Sequence, residues 1–334
     1  MLNWRRFFAH KQNWLGLAIV GFFVLAAVAA PWLAPPPDPE APGYKQIESS
    51  FYQLPDPPRE GSPLGSVPRP PVAGPGVPVG QGPSFQWDIY HSLVWGARAA
   101  LIYGLTVTGI TAVFGIFIGA ISAYIGGWFE NAVMRATDAF LAFPIIAAIW
   151  LLELSFFSYN ISPFSRPLTY FFGEEFQLTT LQEFLMRYNI DSVMCALILF
   201  SWMPFARLIN ASVNKQKNSE YVVAARAMGA TGFRILVKHL LPNSISSAVV
   251  LATRDVGAMV ILAATFTFIG MGGTALPWGL VLVGGRSFIL GLGGNPFVYW
   301  WVFVPIALAL ILFSVGWNLL GDGFNDLLNP RRPL

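Results

Sequence analysis

Long apolar runs separated by polar stretches of very unequal length set the pattern of this chain. Runs of membrane-spanning length recur at residues 15–33, 99–125, about 132–157, about 190–213, about 244–269 and 297–320. A helix of roughly 20 residues crosses a ~30 Å hydrocarbon layer, so the pattern predicts six transmembrane helices. Lipid offers backbone groups no hydrogen-bond partners, which leaves helices or closed barrels as spanning structures. The ~10-residue alternation of a barrel strand does not occur here, and the fold class is all-α membrane protein.

The first run needs separate treatment. Arg5, Arg6 and Lys11 precede it, as in a signal peptide, and Ala29-Ala30-Pro31 would allow cleavage. Its 19 uncharged residues from 15 to 33 are enough to span, and a first transmembrane helix is the preferred reading.

The polar stretches divide the chain further. Residues 35–83 hold fifteen of the 26 prolines, a density that disfavours helix and sheet and predicts an extended linker. The connection 158–189 is long, polar and rich in aromatics such as Tyr159, Phe171 and Phe172, which suit an interfacial cap. The organisation expected is a terminal segment with the first helix (1–34), a Pro-rich extracytoplasmic linker (35–90), a core of the remaining five spans (91–325) and a tail (326–334).

Composition agrees with a lipid solvent. Hydrophobic residues make up 55% of the chain and charged ones 11%, against roughly 25% charged in a soluble domain. The net charge of +3 is no nucleic-acid signature, because the basic residues flank apolar runs. Arg5, Arg6 and Lys11 precede the first run; Lys215, Lys217, Arg226, Arg234 and Lys238 lie between the fourth and fifth; Arg331 and Arg332 follow the sixth. The positive-inside rule then predicts that both termini and the fourth connection are cytoplasmic. A single cysteine, Cys195, excludes an internal disulfide and a multi-cysteine metal site.

Two local patterns concern packing. Gly115, Gly119 and Ala123 recur every four residues, which lets another helix approach closely. Pro144, Pro204 and Pro305 fall inside or near the ends of spans, where bending is expected.

The segment 219–243 reads SEYVVAARAMGATGFRILVKHLLPN. Ser219 is placed to cap a short helix, Ala224, Ala225 and Ala227 give it a shallow face, and Gly229 ends it with a residue tolerant of positive φ. A second amphipathic helix is expected from about Thr231 to Leu241, broken at Pro242. The alanine face suits a docking protein, with Glu220, Tyr221 and Arg226 for polar registration. A hairpin lying on the membrane surface is the alternative.

This segment resembles the EAA loop of binding-protein-dependent ABC permeases. Its form is that of the dipeptide/oligopeptide/nickel C-type subunit, carried by Tyr221, Val222, Ala224, Ala225, Arg226, Gly229, His239, Leu241, Pro242 and Asn243. The stretches 87–101, 124–144, 267–272 and 318–330 resemble other elements of that family, in the right order. Departures are Val223, where the motif has a glutamate directly before the alanines, His239, where the wider consensus has isoleucine, and Ala263, where an acidic residue is common in the family's fifth span.

The resemblance implies a type I ABC importer transmembrane domain, a non-catalytic subunit in a prokaryotic inner membrane. Implied partners are a second homologous permease, in a heterodimer or homodimer, two cytosolic ATPase domains and an extracytoplasmic solute-binding protein. Small peptides or a related solute are the implied cargo. ATP and Mg would be held by the ATPase subunits, and this chain would need no cofactor. Coupling roles are implied for Glu220, Tyr221, Ala224, Ala225, Arg226, Ala227, Gly229 and Pro242.

Asp138, Arg254 and Asp255 lie in or near apolar runs and are candidates for the pathway or its gate. Arg135 is spaced to pair with Asp138 on one helix, and Arg254 and Asp255 are expected to find partners on other helices across a dimer. An ion-coupled secondary transporter would use such charges as a relay. An intramembrane enzyme is disfavoured because His10, His91 and His239 are dispersed, and no Gly-x-x-x-x-Gly-Lys loop exists to bind ATP.

Overall fold

The computed structural model describes residues 7–8, 10–34, 78–79, 82–83, 89–156, 190–271, 276–290, 297 and 300–328. The connection 158–189, the tail beyond 328, most of the linker and the glycines at 272–273 lie outside the described residues.

Helix α1 spans Lys11–Leu33, α2 Ile89–Ile125, α3 Gly127–Ala142 and α4 Ile145–Phe156. Then follow α5 (Ser192–Phe200), α6 (Met203–Gln216) and the short α7 (Glu220–Ala227). Helix α8 (Gly232–Ile235) passes through a π-turn at Leu236–Leu240 into α9 (Leu241–Ile269), and α10 (Pro277–Leu290) and α11 (Trp300–Leu328) complete the chain. Five of these elements or continuous pairs are long and apolar enough to cross a membrane, and six if the bent α3–α4 pair counts as one span.

The third predicted span is therefore not straight. Phe143 takes an extended conformation, as a residue before proline prefers, and α3 and α4 meet at 81°. The fourth is interrupted at Ser201–Trp202, with Pro204 in the first turn of α6, where its missing N–H costs nothing. Asp191 starts α5 by accepting from the Met194 N–H at 2.7 Å.

A segment of the linker also differs from expectation. Pro78–Val79 and Gly82–Pro83 form a two-residue antiparallel ladder. Prolines are tolerated because they take the outer pair, while Val79 and Gly82 keep their N–H groups beside the turn.

Packing follows the small-residue pattern. Positions 115 and 119 of α2 press on α6: a Cβ on Gly115 would stand 2.6 Å from the Phe205 Cβ, and one on Gly119 would stand 2.9 Å from the Ala206 Cα. Helix α11 packs on α1, α2 and α9, and α2 packs on α1 and α9. Between them lies the main core, with Phe23, Tyr103, Val260, Trp278 and Phe313 all buried. Helix α10 was not anticipated. It packs on α2, α9 and α11, and the Trp278 indole donates to the Leu93 carbonyl at 3.4 Å.

A second core lies at the end of the bundle that carries α7. It joins Ala120 and Ala123 of α2, Phe205, Ile209 and Val213 of α6, Val222 and Ala225 of α7, and Ile235, Leu236, Leu240 and Ala248 of the α8–α9 run. This cluster fixes where the 219–243 segment sits.

Candidate functional site

Helix α7 starts where the sequence predicts, but not by the predicted cap. Ser219 has the extended backbone of an N-cap residue and makes no side-chain cap. Its hydroxyl instead donates to the Gln216 carbonyl at 2.6 Å, closing the end of α6. Gly229 ends the helix as expected, with φ of 79°. Its amide donates to the Arg226 carbonyl at 2.9 Å, and the Ala230 amide to the Ala225 carbonyl at 3.0 Å.

The expected single alanine face is corrected by the helix's rotation. Val222 and Ala225 turn inward to the second core, whereas Glu220, Tyr221, Val223, Ala224, Arg226 and Ala227 remain exposed. Met228 is 82% exposed and Phe233 is 77% exposed, so two large apolar side chains stand out beside the exposed alanines. Ala225 anchors the helix to its own chain, and Ala224 and Ala227 belong to the free surface.

Pro242 does not break the second helix. The chain is helical without interruption from Gly232 to Ile269. The preceding turn widens into a π-turn, in which the Leu241 amide reaches back to the Leu236 carbonyl, and Pro242 enters α9 in its first turn. Asn243 supports this joint, its Nδ2 donating to the His239 carbonyl at 2.9 Å. The short helix, the glycine turn and the fifth span thus form one connected unit.

Sequence reasoning missed three sets of contacts, two at this unit and one between the helices beside it. Gly232 lies under the phenol of Tyr124 at the end of α2; a Cβ there would be 2.8 Å from the Tyr124 Cζ. Tyr221 donates its hydroxyl to Gln216 Oε1 at 2.8 Å, and its ring lies 6.5 Å from that of His239. Asn210, Asn214 and Glu130 form a chain of hydrogen bonds from α6 to α3, in which Asn214 Nδ2 donates to Glu130 and, at 3.1 Å, to Asn210 Oδ1. Asn210 Nδ2 continues it to Ser122 Oγ at 3.1 Å. The i, i+4 spacing of the two asparagines was the available signal.

The charged candidates separate. Asp138 pairs with Arg207 of α6 at 3.3 Å rather than with Arg135 of its own helix. Arg254 pairs with Asp322 of α11 in its own chain, not across a dimer. Both pairs are about half exposed, with side-chain exposures of 57% and 54% for the first and 45% and 51% for the second. A charge inside a span is costly against lipid tails and as a rule faces protein or water. Asp255, next in sequence to Arg254, is on a different face of α9.

Two family models match the chain. The N-terminal transmembrane domain of oligopeptide transport permease C matches residues 2–55, and the binding-protein-dependent transport system inner membrane component matches residues 115–332. The chain belongs to this latter family. The permease is 28% identical to a putative peptide transport system permease protein of Brucella abortus biovar 1 (strain 9-941), over 99% of this chain and 92% of that one. It is 28% identical to a dipeptide transport system permease protein of Alkalihalophilus pseudofirmus, over 98% of this chain and 90% of that one. A solved inward-facing MetNI methionine ABC transporter overlays 70% of this chain and 95% of its own with a TM-score of 0.47 and 19% identity, too loose a superposition to constrain the fold. The permease is accordingly a non-catalytic membrane subunit of an ABC importer, and the ion-coupled alternative is set aside.

Proposed function

We propose that this permease is the C-type subunit of an importer for small peptides, and that α7 is the helix through which a cytosolic ATPase drives it. Both termini and the 219–243 protrusion are cytoplasmic in this reading, in accord with the basic residues gathered there. A second homologous permease completes the pathway, two ATPase domains bind ATP and Mg, and a solute-binding protein delivers cargo outside. The peptide cargo follows the relatives' names and the match of residues 2–55 to an oligopeptide permease domain.

One observation carries the coupling role. Helix α7 is bound to its own chain on one side, through Val222 and Ala225, and open on the other through Tyr221, Val223, Ala224, Ala227 and Met228. A helix anchored on one side and free on the other transmits a push, whereas a hairpin resting on lipid would turn its apolar residues to one membrane plane. Glu220 and Arg226 supply charge at its two ends, and Gly229 with Pro242 joins it to the fifth span.

Site-directed cross-linking tests this. Met228→Cys in the assembled transporter should cross-link to the ATPase and react with thiol reagents only from the cytosolic side. Labelling by an impermeant reagent in intact cells would overturn the reading, as would absence of any ATPase adduct in an active complex.

A further inference from the structure

Gln216, the last residue of α6, has both ends of its side-chain amide engaged by different elements. Its Oε1 accepts from the Tyr221 hydroxyl at 2.8 Å. Its Nε2 donates to Ser212 Oγ and to Ser244 Oγ, each at 3.2 Å. Tyr221 lies on the exposed side of α7, while Ser244 lies in the first turn of α9 and is fully buried. One side chain therefore ties a residue at the open surface of the short helix to the interior of the fourth and fifth spans.

The apolar contacts of Val222 and Ala225 hold α7 against the bundle, but burial of apolar surface is non-directional and permits sliding. Hydrogen bonds weaken steeply as their angles close. Among the described contacts of α7, the Tyr221–Gln216–Ser244 path is the one that registers the helix in rotation as well as in depth. We infer that Gln216 is a positioning residue that converts displacement of α7 into displacement of α9. The inference rests on the proposed coupling role of α7 and adds a second route, beside the Gly229 turn, by which its motion enters the membrane.

Substitutions separate this from a merely structural role. A glutamate at 216 still accepts from Tyr221 and from serine hydroxyls, whereas methionine of similar length accepts from none of them usefully. The test uses the reconstituted transporter with its binding protein and ATPase, carrying Gln216→Met, Gln216→Glu or Ser244→Ala, or both Gln216→Met and Ser244→Ala. Uptake of a radiolabelled peptide mixture from a protein digest is measured per ATP hydrolysed, alongside ATPase retention and Met228→Cys cross-linking.

Gln216→Met should lower uptake per ATP by roughly three- to tenfold, the population change expected if one net hydrogen bond among the three it removes carries the coupling. Gln216→Glu should restore most of it, and adding Ser244→Ala to Gln216→Met should cost nothing further. ATPase retention should not change. Unaltered uptake per ATP in Gln216→Met with cross-linking intact overturns this inference and leaves the coupling role of α7 standing. Additive losses in the double variant, or a loss of ATPase retention matching the loss of uptake, overturn it as well. Absence of the Met228→Cys adduct in the parent complex sinks both.

Discussion

The phenol of Tyr124, at the end of the second span, occupies the place where a side chain on Gly232 would begin. The chain after the glycine turn thereby approaches α2 closely enough to share the second core, and Ile235, Leu236 and Leu240 bury behind it. Gly232→Val should force the two apart, an overpacking cost of about 1–3 kcal/mol. Trypsin should then cleave faster after Arg226, Arg234 or Lys238, and uptake should fall. Adding Tyr124→Ala should return part of both; a double variant as impaired as Gly232→Val would show that the contact does not seat this unit.

Gly229 is a separate case, because a Cβ there meets nothing within 4 Å. Its requirement is conformational: at φ of 79°, a residue with a side chain bears about 1–2 kcal/mol of strain. Gly229→Val should therefore uncouple ATP hydrolysis from uptake more severely than Gly229→Ala, and Gly229→Asn should be the mildest of the three. Equal coupling in all three, measured as uptake per ATP, would remove the hinge from the mechanism.

The Arg254–Asp322 pair joins α9 to α11 inside the spans. Removing one partner leaves an unpaired charge between two spans, a costly arrangement. Arg254→Leu and Asp322→Leu should each reduce membrane yield and detergent thermostability. The exchanged pair, Arg254→Asp with Asp322→Arg, should recover more than either single charge reversal. No recovery would mean that one of the two charges has a role beyond the other.

These contacts also show what the linear pattern could and could not reveal. Spans were legible because lipid enforces long apolar runs, and Gly229 was legible because few residues accept its backbone. Pro242 was read as a break because a missing N–H usually ends a helix; the π-turn at Leu236–Leu240 absorbs it instead. Helix α10 escaped notice because its 14 residues are too short to span and it is buried by neighbours rather than by lipid. The partner of Asp138 escaped because spacing along one helix favours Arg135, and that of Arg254 because spacing does not say which other helix meets it; Arg207 and Asp322 arrive from remote sequence. Ala225 was placed on the docking face because composition does not give a helix's rotation, which the burial of Val222 fixes.

That rotation makes a prediction with two adjacent residues of one type. Val222 is fully buried and Val223 is 55% exposed. Val223→Glu puts its carboxylate in water or against a partner, at little cost to the fold, and the loop should remain seated with the ATPase retained. Val222→Glu would bring the same carboxylate among Ile209, Val213 and Leu240, where an unpaired charge costs several kcal/mol. It should abolish accumulation of the assembled transporter. Comparing assembly and uptake for the two variants tests the placement of α7 directly: if Val222→Glu assembles as well as Val223→Glu, the helix does not present the face to its partner that Val222 and Ala225 dictate.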